Sequence, residues 1–132
     1  MERSRNRIDL ARECLDAFLR GDLETALAPA SEDVVSVRAA PLPDPQTYHG
    51  TDGVIAMWND WTSEFSEFSM TIEDAFEVGD RVIADVLQRG IGRASGAAVE
   101  GRFWLRYTFN GNEVVRFEAF ATEAQARSDP TD

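Results

Sequence analysis

One carboxylate is better placed for acid–base chemistry than any other side chain in this sequence. Asp85 interrupts an otherwise apolar run at 82–87. A carboxyl group that is buried among apolar side chains without a cation has a raised pKa, which suits proton transfer near neutral pH. If a simple hairpin joins the strand that contains Asp85 to the next one, Asp85 lies opposite Leu105. We therefore expect Asp85 to face a pocket as its acid or base.

Asp85 also allows a purely structural interpretation. It could pair with Arg89 or with another arginine. It could also face solvent if the strand register shifts by one residue, because such a shift moves every side chain to the other face of the sheet. The sequence alone leaves both interpretations open.

Tyr107 is the second candidate for chemistry. Its hydroxyl could donate a hydrogen bond to a carbonyl or to a developing oxyanion, or it could pack with its hydroxyl bonded locally. Tyr48 and His49 stand just before a glycine and a predicted helix start, where polar residues usually have a local structural task. We therefore keep Tyr107 as a candidate hydrogen-bond donor and favour structural roles for the other two.

The composition excludes several other chemistries. All 13 basic residues are arginine, so neither a lysine Schiff base nor a phosphate-binding loop of the Gly-Lys-Ser type can form. The chain has 1 histidine and 1 cysteine, which excludes a zinc site built from several such ligands within one chain. We therefore expect no cofactor and no metal.

Charge and length restrict the partners and the domain organisation. The net charge of -11 argues against nucleic acid and anionic membrane surfaces, because both require basic patches. No apolar run approaches the roughly 20 residues that cross a bilayer, and no signal-peptide pattern is visible. We expect one domain over residues 1–127, a frayed tail over 128–132 and a cytoplasmic location.

The strongest structural signal is the stretch 99–120. Apolar and polar residues alternate through 103–109, which is typical of a strand with one buried face. The Asn-Gly pair at 110–111 supplies two residues that tolerate positive φ, as a tight hairpin turn requires. A second alternating run follows, so the chain is predicted to end in an antiparallel hairpin with one aromatic face.

Apolar spacing predicts three helices before most of the strands. The first is expected over 5–20, with Ser4 as the cap at its start and Gly21 at its end. The second is expected over 23–28 with Asp22 as its cap, and the third from a cap at Thr51 or Asp52 to about Phe65. A turn at 79–80 and one helical turn over 122–127 are also expected. Strands are predicted at 34–37, 68–72, 81–91, 99–109 and 113–120. This order favours the α+β class, with a cone-shaped, curved antiparallel sheet wrapped by three N-terminal helices around an internal apolar pocket.

The alternation of apolar and polar residues predicts a different role for each face of the sheet. The inner face and the third helix supply the expected pocket lining: Trp58, Trp61, Phe65, Leu87, Phe103, Leu105 and Phe117. The outer face carries the residues expected at a dimer interface: Arg102, Trp104, Arg106, Arg116 and Glu118. Arginine and tryptophan are enriched at interfaces, so we favour a homodimer; the alternative is a solvated face with cross-strand Arg–Glu pairs.

Five short motifs in order resemble the SnoaL-like branch of the nuclear-transport-factor-2-like superfamily. They are FLRGDL at 18–23, YHGTDGV at 48–54, GDRV at 79–82, GRASG at 92–96 and VVRFEAF at 114–120. The resemblance covers residues 10–126 and implies a commonly dimeric cone with an apolar pocket. Relatives include polyketide cyclases, ketosteroid isomerase, limonene epoxide hydrolase and scytalone dehydratase, so the fold does not name a reaction.

The catalytic residues of these relatives do not carry over to this chain. By the resemblance, the ketosteroid isomerase tyrosine falls near Cys14, its base near Arg38 and its hydrogen-bonding carboxylic acid near Leu105. None of the three residues has the required type, and no strand shows the Arg and Asp spacing of the epoxide hydrolases. The nearest match to the cyclase aspartate is Glu118, whose position in the alternation turns it away from the pocket.

The sequence therefore supports two functions. The first is binding of a small, largely apolar molecule in the cone, joined by cofactor-free isomerisation, cyclisation, dehydration or hydrolysis if Asp85 and Tyr107 meet there. The second is a non-catalytic binding or dimerisation module whose cone is filled by its own side chains. The position of Asp85 distinguishes the two.

Overall fold

The structure is a computed structural model that describes residues 6–38 and 46–128. Within these ranges it has the helices α1 (Arg7–Arg20), α2 (Leu23–Leu27), α3 (Gly50–Thr62) and α4 (Glu123–Arg127). The strands are β1 (Ala30–Arg38), β2 (Gln46–His49), β3 (Phe65–Val78), β4 (Arg81–Gly92), β5 (Ala98–Asn110) and β6 (Glu113–Phe120). The predicted α+β class is confirmed.

The six strands form one curved, unclosed sheet in the order β2-β1-β6-β5-β4-β3. The predicted antiparallel meander from β3 to β6 is confirmed. The expectation of a wholly antiparallel sheet is wrong at one place, because β1 runs parallel to β6. Parallel neighbours require a long connection. Here β2, α3 and the strands β3 to β5 lie between β1 and β6 in the chain.

Local sequence signals explain where α1 and α2 begin and end. The Asn6 side chain accepts a hydrogen bond from the Asp9 backbone at 2.8 Å and caps α1; the predicted cap, Ser4, lies outside the described residues. Gly21 ends α1 with a φ of 80°, a conformation that glycine adopts without steric cost. Asp22 then caps α2, as predicted.

The third helix differs from its prediction at both ends. It starts at Gly50 and not at Thr51 or Asp52. The residue before it, His49, ends β2, an edge strand that the sequence analysis does not contain. The helix stops at Thr62, so the chain can turn and begin β3 three residues later. As a result β3 is longer than the predicted strand at 68–72.

Two tight turns connect the meander. Gly79 and Asp80 form the first, as predicted, with Val78 opposite Arg81. In the second, Asn110 pairs with Glu113, so the two loop residues are 111–112, one residue later than the predicted Asn-Gly pair. Only the first loop residue has a positive φ, which is 65°, and a two-residue turn with glycine at its first position matches the twist of the strands.

The helices cover the two faces of the sheet unequally. The N-terminal helices lie against the inner face, where α1 contributes Ala11, Leu15 and Phe18 to the hydrophobic core. The short helix α4, which the sequence analysis predicts as one helical turn, lies against β4, β5 and β6. Its last carbonyl groups accept hydrogen bonds from Arg106 on the outer face. No helix of the described residues is long and apolar enough to cross a membrane.

Candidate functional site

The inner face of the cone is built by alternate residues of β5 and β6. Phe103, Leu105 and Tyr107 are all buried. Tyr107 lies opposite Phe117, and the two ring centroids are 4.9 Å apart. The predicted alternation of these strands is therefore confirmed, and three of the expected pocket residues share one apolar surface with Tyr107.

Two small cavities remain inside the cone. Each has a volume of about 30 Å³. Both cavities are lined by Phe18, Val54, Tyr107 and Phe117, which separate one from the other. Ligand pockets usually measure about 300–1,000 Å³, and a cavity of the observed size holds no more than water. The interior of the cone is thus largely filled by its own side chains.

A larger pocket lies at one end of the sheet, where α3, β4 and β6 end and β3 and β5 begin. We call it the mouth pocket, and its volume is about 440 Å³. Its lining consists of Trp61, Glu64, Phe65, Gln88, Gly92, Val99, Gly101, Arg102, Phe103 and Ala121. Apolar surface dominates, with few polar groups, as is usual for sites that bind small molecules.

Trp61 and Phe103 separate the mouth pocket from the interior. Both line the mouth pocket and the first inner cavity, and their ring centroids are 4.9 Å apart. The indole Nε1 of Trp61 donates a hydrogen bond to Gln88 Oε1 at 2.7 Å. The Arg38 guanidinium lies over the same indole, 4.5 Å from the ring centroid. These contacts hold the tryptophan as a fixed wall between the two spaces.

Two titratable groups inside the cone, those of Cys14 and Tyr107, are held in their neutral forms. Burial raises the pKa of the Cys14 thiol to about 12, and the charge of nearby Glu13 adds to the shift. Burial also raises the pKa of the Tyr107 phenol well above its usual value. At neutral pH the interior therefore offers a phenol and a thiol but neither a phenolate nor a thiolate.

Asp85 lies outside this site. The expected register is wrong by one residue, because Asp85 pairs with Trp104 and not with Leu105. Its carboxylate accepts a hydrogen bond from Arg102 at 2.8 Å and is 17% exposed. Arg102, and not Arg89, is thus its cation. Asp85 and Tyr107 are on opposite faces of the sheet, so the structure does not bring the two candidate catalytic residues together.

The length of one connection explains the error in register. Ile91 pairs with Ala98, which leaves residues 92–97 between the paired strands. One more residue in this connection would place Asp85 opposite Leu105 and turn it inward. The same shift puts Leu87 opposite Arg102 on the outer face, so it does not belong to the inner lining. Phe65 lines the mouth pocket.

Arg38 is a site residue that the sequence patterns do not single out. Arg38 is the last residue of β1 and pairs with Ala119, on the inner face of β6. It is only 4% exposed. In the sequence, its position stands out only as one that lacks the base expected from ketosteroid isomerase. Continuing the alternation of β1 from Val34 through Ser36 would have placed it inside the cone. Gln88, which holds Trp61, is missed because of the same register error in β4.

The outer face is partly occupied by the chain itself. Arg106 donates hydrogen bonds to Glu118 at 3.0 and 2.8 Å and to the carbonyls of Ala126 and Ser128 at 3.0 and 2.6 Å. Both charged residues are buried. The sequence pattern predicts both residues at a dimer interface, but in this chain α4 covers them. Trp104 and Arg116 keep partly exposed side chains on this face.

Two further expectations concern metals and the chain end. Within the described ranges, 6–38 and 46–128, no three histidine, cysteine, aspartate or glutamate side chains form a group that could hold a metal ion. The expected frayed tail at 128–132 lies outside the described residues except for Ser128, whose carbonyl accepts the hydrogen bond from Arg106.

The fold and this apolar site define a class of protein. The model of the SnoaL-like domain family matches residues 11–117, which is more than half of the chain. This protein therefore belongs to the SnoaL-like family. The resemblance that the sequence motifs carry is confirmed.

Solved structures support the same fold. A nuclear-transport-factor-2-like protein of unknown function from Burkholderia pseudomallei is 26% identical, with a TM-score of 0.77 over 92% of this chain and 95% of that one. A putative SnoaL-like polyketide cyclase from Jannaschia is 16% identical, with a TM-score of 0.76 over 95% and 94%. TerC, co-crystallised with polyporic acid, is 17% identical, with a TM-score of 0.75 over 90% and 93%. No curated protein matches the chain.

Proposed function

We propose that this SnoaL-like protein binds a small, largely apolar molecule in its mouth pocket. One observation carries the proposal: the mouth pocket combines a volume of about 440 Å³, within the size range of ligand sites, with a mainly apolar lining. Two surface depressions of about 580 and 510 Å³ have more polar linings, with three and four charged side chains, and the two inner cavities are too small. Aromatic side chains of Trp61, Phe65 and Phe103 form its apolar walls. Gln88, also in the lining, offers a polar group that would orient a ligand.

The proposal combines the two functions that the sequence supports. The inner cone is mostly filled, as in the non-catalytic alternative, while the mouth stays open for a ligand. TerC, which has a similar fold, was co-crystallised with polyporic acid. This supports the proposal that a protein of this fold can bind a small organic molecule. Contact with the inner cavities requires Trp61 and Phe103 to move apart.

Proton abstraction has less support than binding. Asp85 is paired with Arg102 on the outer face, and the neutral Tyr107 can donate a hydrogen bond but cannot accept a proton as a phenolate would. We therefore assign Tyr107 the role of a hydrogen-bond donor toward a ligand that passes the Trp61–Phe103 pair. This is the only chemical role that we propose for the interior.

Binding is tested by tryptophan fluorescence and melting temperature against apolar ketones, epoxides, polycyclic phenols and fatty acids. A ligand that binds only the folded state raises the melting temperature by mass action. We expect one class to give a saturable shift. The Trp61→Leu variant should weaken the affinity about thirtyfold, since hot-spot aromatic residues contribute about 2 kcal/mol or more. Trp104→Phe, on the outer face, is the matched control.

Two results would contradict the proposal. One is the absence of any shift with every class in a protein that circular dichroism shows to be folded. The other is a shift that Trp61→Leu leaves unchanged and that Trp58→Phe abolishes, because Trp58 lines the first inner cavity and not the mouth pocket.

We further propose that two copies of the chain associate through the part of the outer face that α4 leaves open. Arg102 and Trp104 lie on one side of the covered Arg106–Glu118 pair, and Arg116 lies on the other. Tryptophan and arginine are the residue types most enriched at interface hot spots. Light scattering should report a dimer for the native chain and a monomer for Trp104→Glu, which places a charge on this surface. A dimer that persists in Trp104→Glu would exclude this surface.

A further inference from the structure

Arg38 is a buried cation without an adequate anion. Its side chain is 4% exposed, and its ion-pair partner within the described residues, Glu64, is 54% exposed with the closest atoms 3.4 Å apart. Good charge-assisted hydrogen bonds are shorter, at about 2.7–2.9 Å. The Nε atom of Arg38 has no hydrogen-bond partner among the described residues. A buried guanidinium stays charged, so this arrangement leaves much of its desolvation cost uncompensated.

A second buried polar group lies beside it. Ser36 is two residues earlier on β1, and both residues pair with the inner face of β6. Ser36 is fully buried, and its hydroxyl also has no hydrogen-bond partner in the described part of the chain. Buried polar atoms are nearly always hydrogen-bonded. These two atoms, on one face of one strand, could therefore bond to a polar group of a ligand.

The position of Arg38 connects this deficit to the mouth pocket. Its two contacts, Trp61 below the guanidinium and Glu64 at its edge, both line that pocket. Glu64 is exposed and makes a long contact, so an incoming anion can displace it at small cost. Stacking on an indole leaves the edge of the guanidinium, where its N–H groups lie, available to a planar anion.

We propose that the mouth pocket selects molecules that combine an apolar body with a carboxylate, and that Arg38 binds the carboxylate. The inference rests on the proposed binding function and adds the chemical class of its ligand. The apolar body lies against Phe65 and Phe103, and the carboxylate replaces Glu64 at the guanidinium. Arg38 lies behind the lining residues Trp61 and Glu64, so the carboxylate reaches it where Glu64 is displaced. Arg102, which is itself in the lining, is already paired with Asp85 at 2.8 Å and has no such deficit.

The test uses two probes of equal shape. The anion 2-naphthoate and the neutral 2-naphthamide share an aromatic body and differ in charge, and calorimetric titration at pH 7 gives both affinities. We expect naphthoate to bind about tenfold more tightly, the value of one hydrogen bond to a charged group. Arg38→Met should abolish this preference and leave naphthamide binding unchanged, whereas Arg102→Met should retain the preference.

Glu64→Gln provides a test that does not depend on a substitution of a buried residue. Removing the competing carboxylate should raise naphthoate affinity several-fold and leave naphthamide affinity unchanged. Glu67→Gln changes the net charge by the same amount as Glu64→Gln, at an exposed position on β3. It should leave both affinities near their native values. An equal gain in Glu67→Gln would mean a general charge effect and would overturn the assignment of Arg38.

The outcomes separate this inference from the proposed function. If both probes bind with equal affinity, the pocket binds apolar molecules but the anion site is wrong. If the preference for naphthoate disappears in Arg102→Met and persists in Arg38→Met, the anion site belongs to Arg102. If neither probe binds and no ligand class shifts the melting temperature, the proposed function itself fails.

Discussion

At the scale of single residues, the same chemistry has different consequences in different surroundings. Glu118 and Glu100 are both paired with an arginine across two strands. The Glu118 pair with Arg106 is buried, whereas the Glu100 pair with Arg89 is exposed. Burial removes water as an alternative partner, so breaking the first pair leaves an uncompensated charge and breaking the second does not.

This contrast gives a matched pair of variants. We expect Glu118→Gln to lower the free energy of unfolding by about 3–5 kcal/mol, because Arg106 then stays buried without its anion. Glu100→Gln should lower it by less than about 1 kcal/mol. Urea denaturation followed by circular dichroism measures both. Equal, small effects would mean that Arg106 finds sufficient partners in the carbonyls of α4.

The residues of the candidate site were partly predictable from the sequence. Alternation in β5 and β6 identified Phe103, Leu105, Tyr107 and Phe117, because period two is a local property of each strand. It did not place Asp85, because its face depends on the pairing between strands, which the length of the 92–97 connection sets. The number of residues in this connection therefore decides whether the Asp85 carboxylate lies on the inner or the outer face of the sheet.

At the scale of elements, the pairing of β3 with β4 leaves no room for a side chain at Gly90. A β-carbon at this position would lie 2.8 Å from the Glu67 carbonyl oxygen and 2.9 Å from the Phe65 ring. The pairing of β3 with β4 shifts between Phe65 and Glu67, which indicates a bulge, and the absent side chain makes room for it. Gly101 on β5 has no such neighbour within 4 Å.

We therefore expect Gly90→Ala to destabilise the fold by about 1–3 kcal/mol, the usual cost of overpacking. Gly101→Ala should be neutral or slightly stabilising, since it reduces the freedom of the unfolded chain without a steric clash. Thermal melts of both variants provide the measurement. A Gly90→Ala protein as stable as Gly101→Ala would show that the bulge relaxes freely.

Most helices and strands were predictable from the sequence, but their first and last residues were less so. Helices and strands were predicted from apolar periodicity, which α1 and the meander satisfy. The strand β2 was missed because its four residues carry too little periodicity, and its pairing with β1 is a tertiary interaction. The start of α3 was misplaced because His49 precedes the helix without a side-chain hydrogen bond, so the usual capping signal is absent there.

At the scale of the whole molecule, the absence of lysine simplifies the response to alkaline pH. Between about pH 9 and 12, a protein normally releases protons from many lysines. Here the ionisable side chains in that range are the single cysteine and 2 tyrosines. The raised pKa values of Cys14 and Tyr107 mean that the unfolded chain releases these protons at lower pH than the folded chain.

Stability should therefore fall as pH rises. The contribution of Cys14 is fully present below its ordinary pKa of 9.0 and is lost as the pH approaches about 12. Each proton contributes a slope of about 1.4 kcal/mol per pH unit. Urea titrations between pH 8 and 11 should show a smaller slope in Cys14→Ala than in the native chain. An unchanged slope would mean that the thiol ionises equally in both states.

The parallel pairing of β1 with β6 also determines when the molecule can be completed during synthesis. Ser36 pairs with Phe117, so β1 has this neighbour only after residue 117 has left the ribosome. The hairpins of the meander are local, but β1 must wait for β6, and contacts so distant in sequence form slowly. Until then the core residues of α1 and β1, such as Phe18 and Val34, lack this cover, and chaperones that bind exposed apolar segments have this interval in which to act on them.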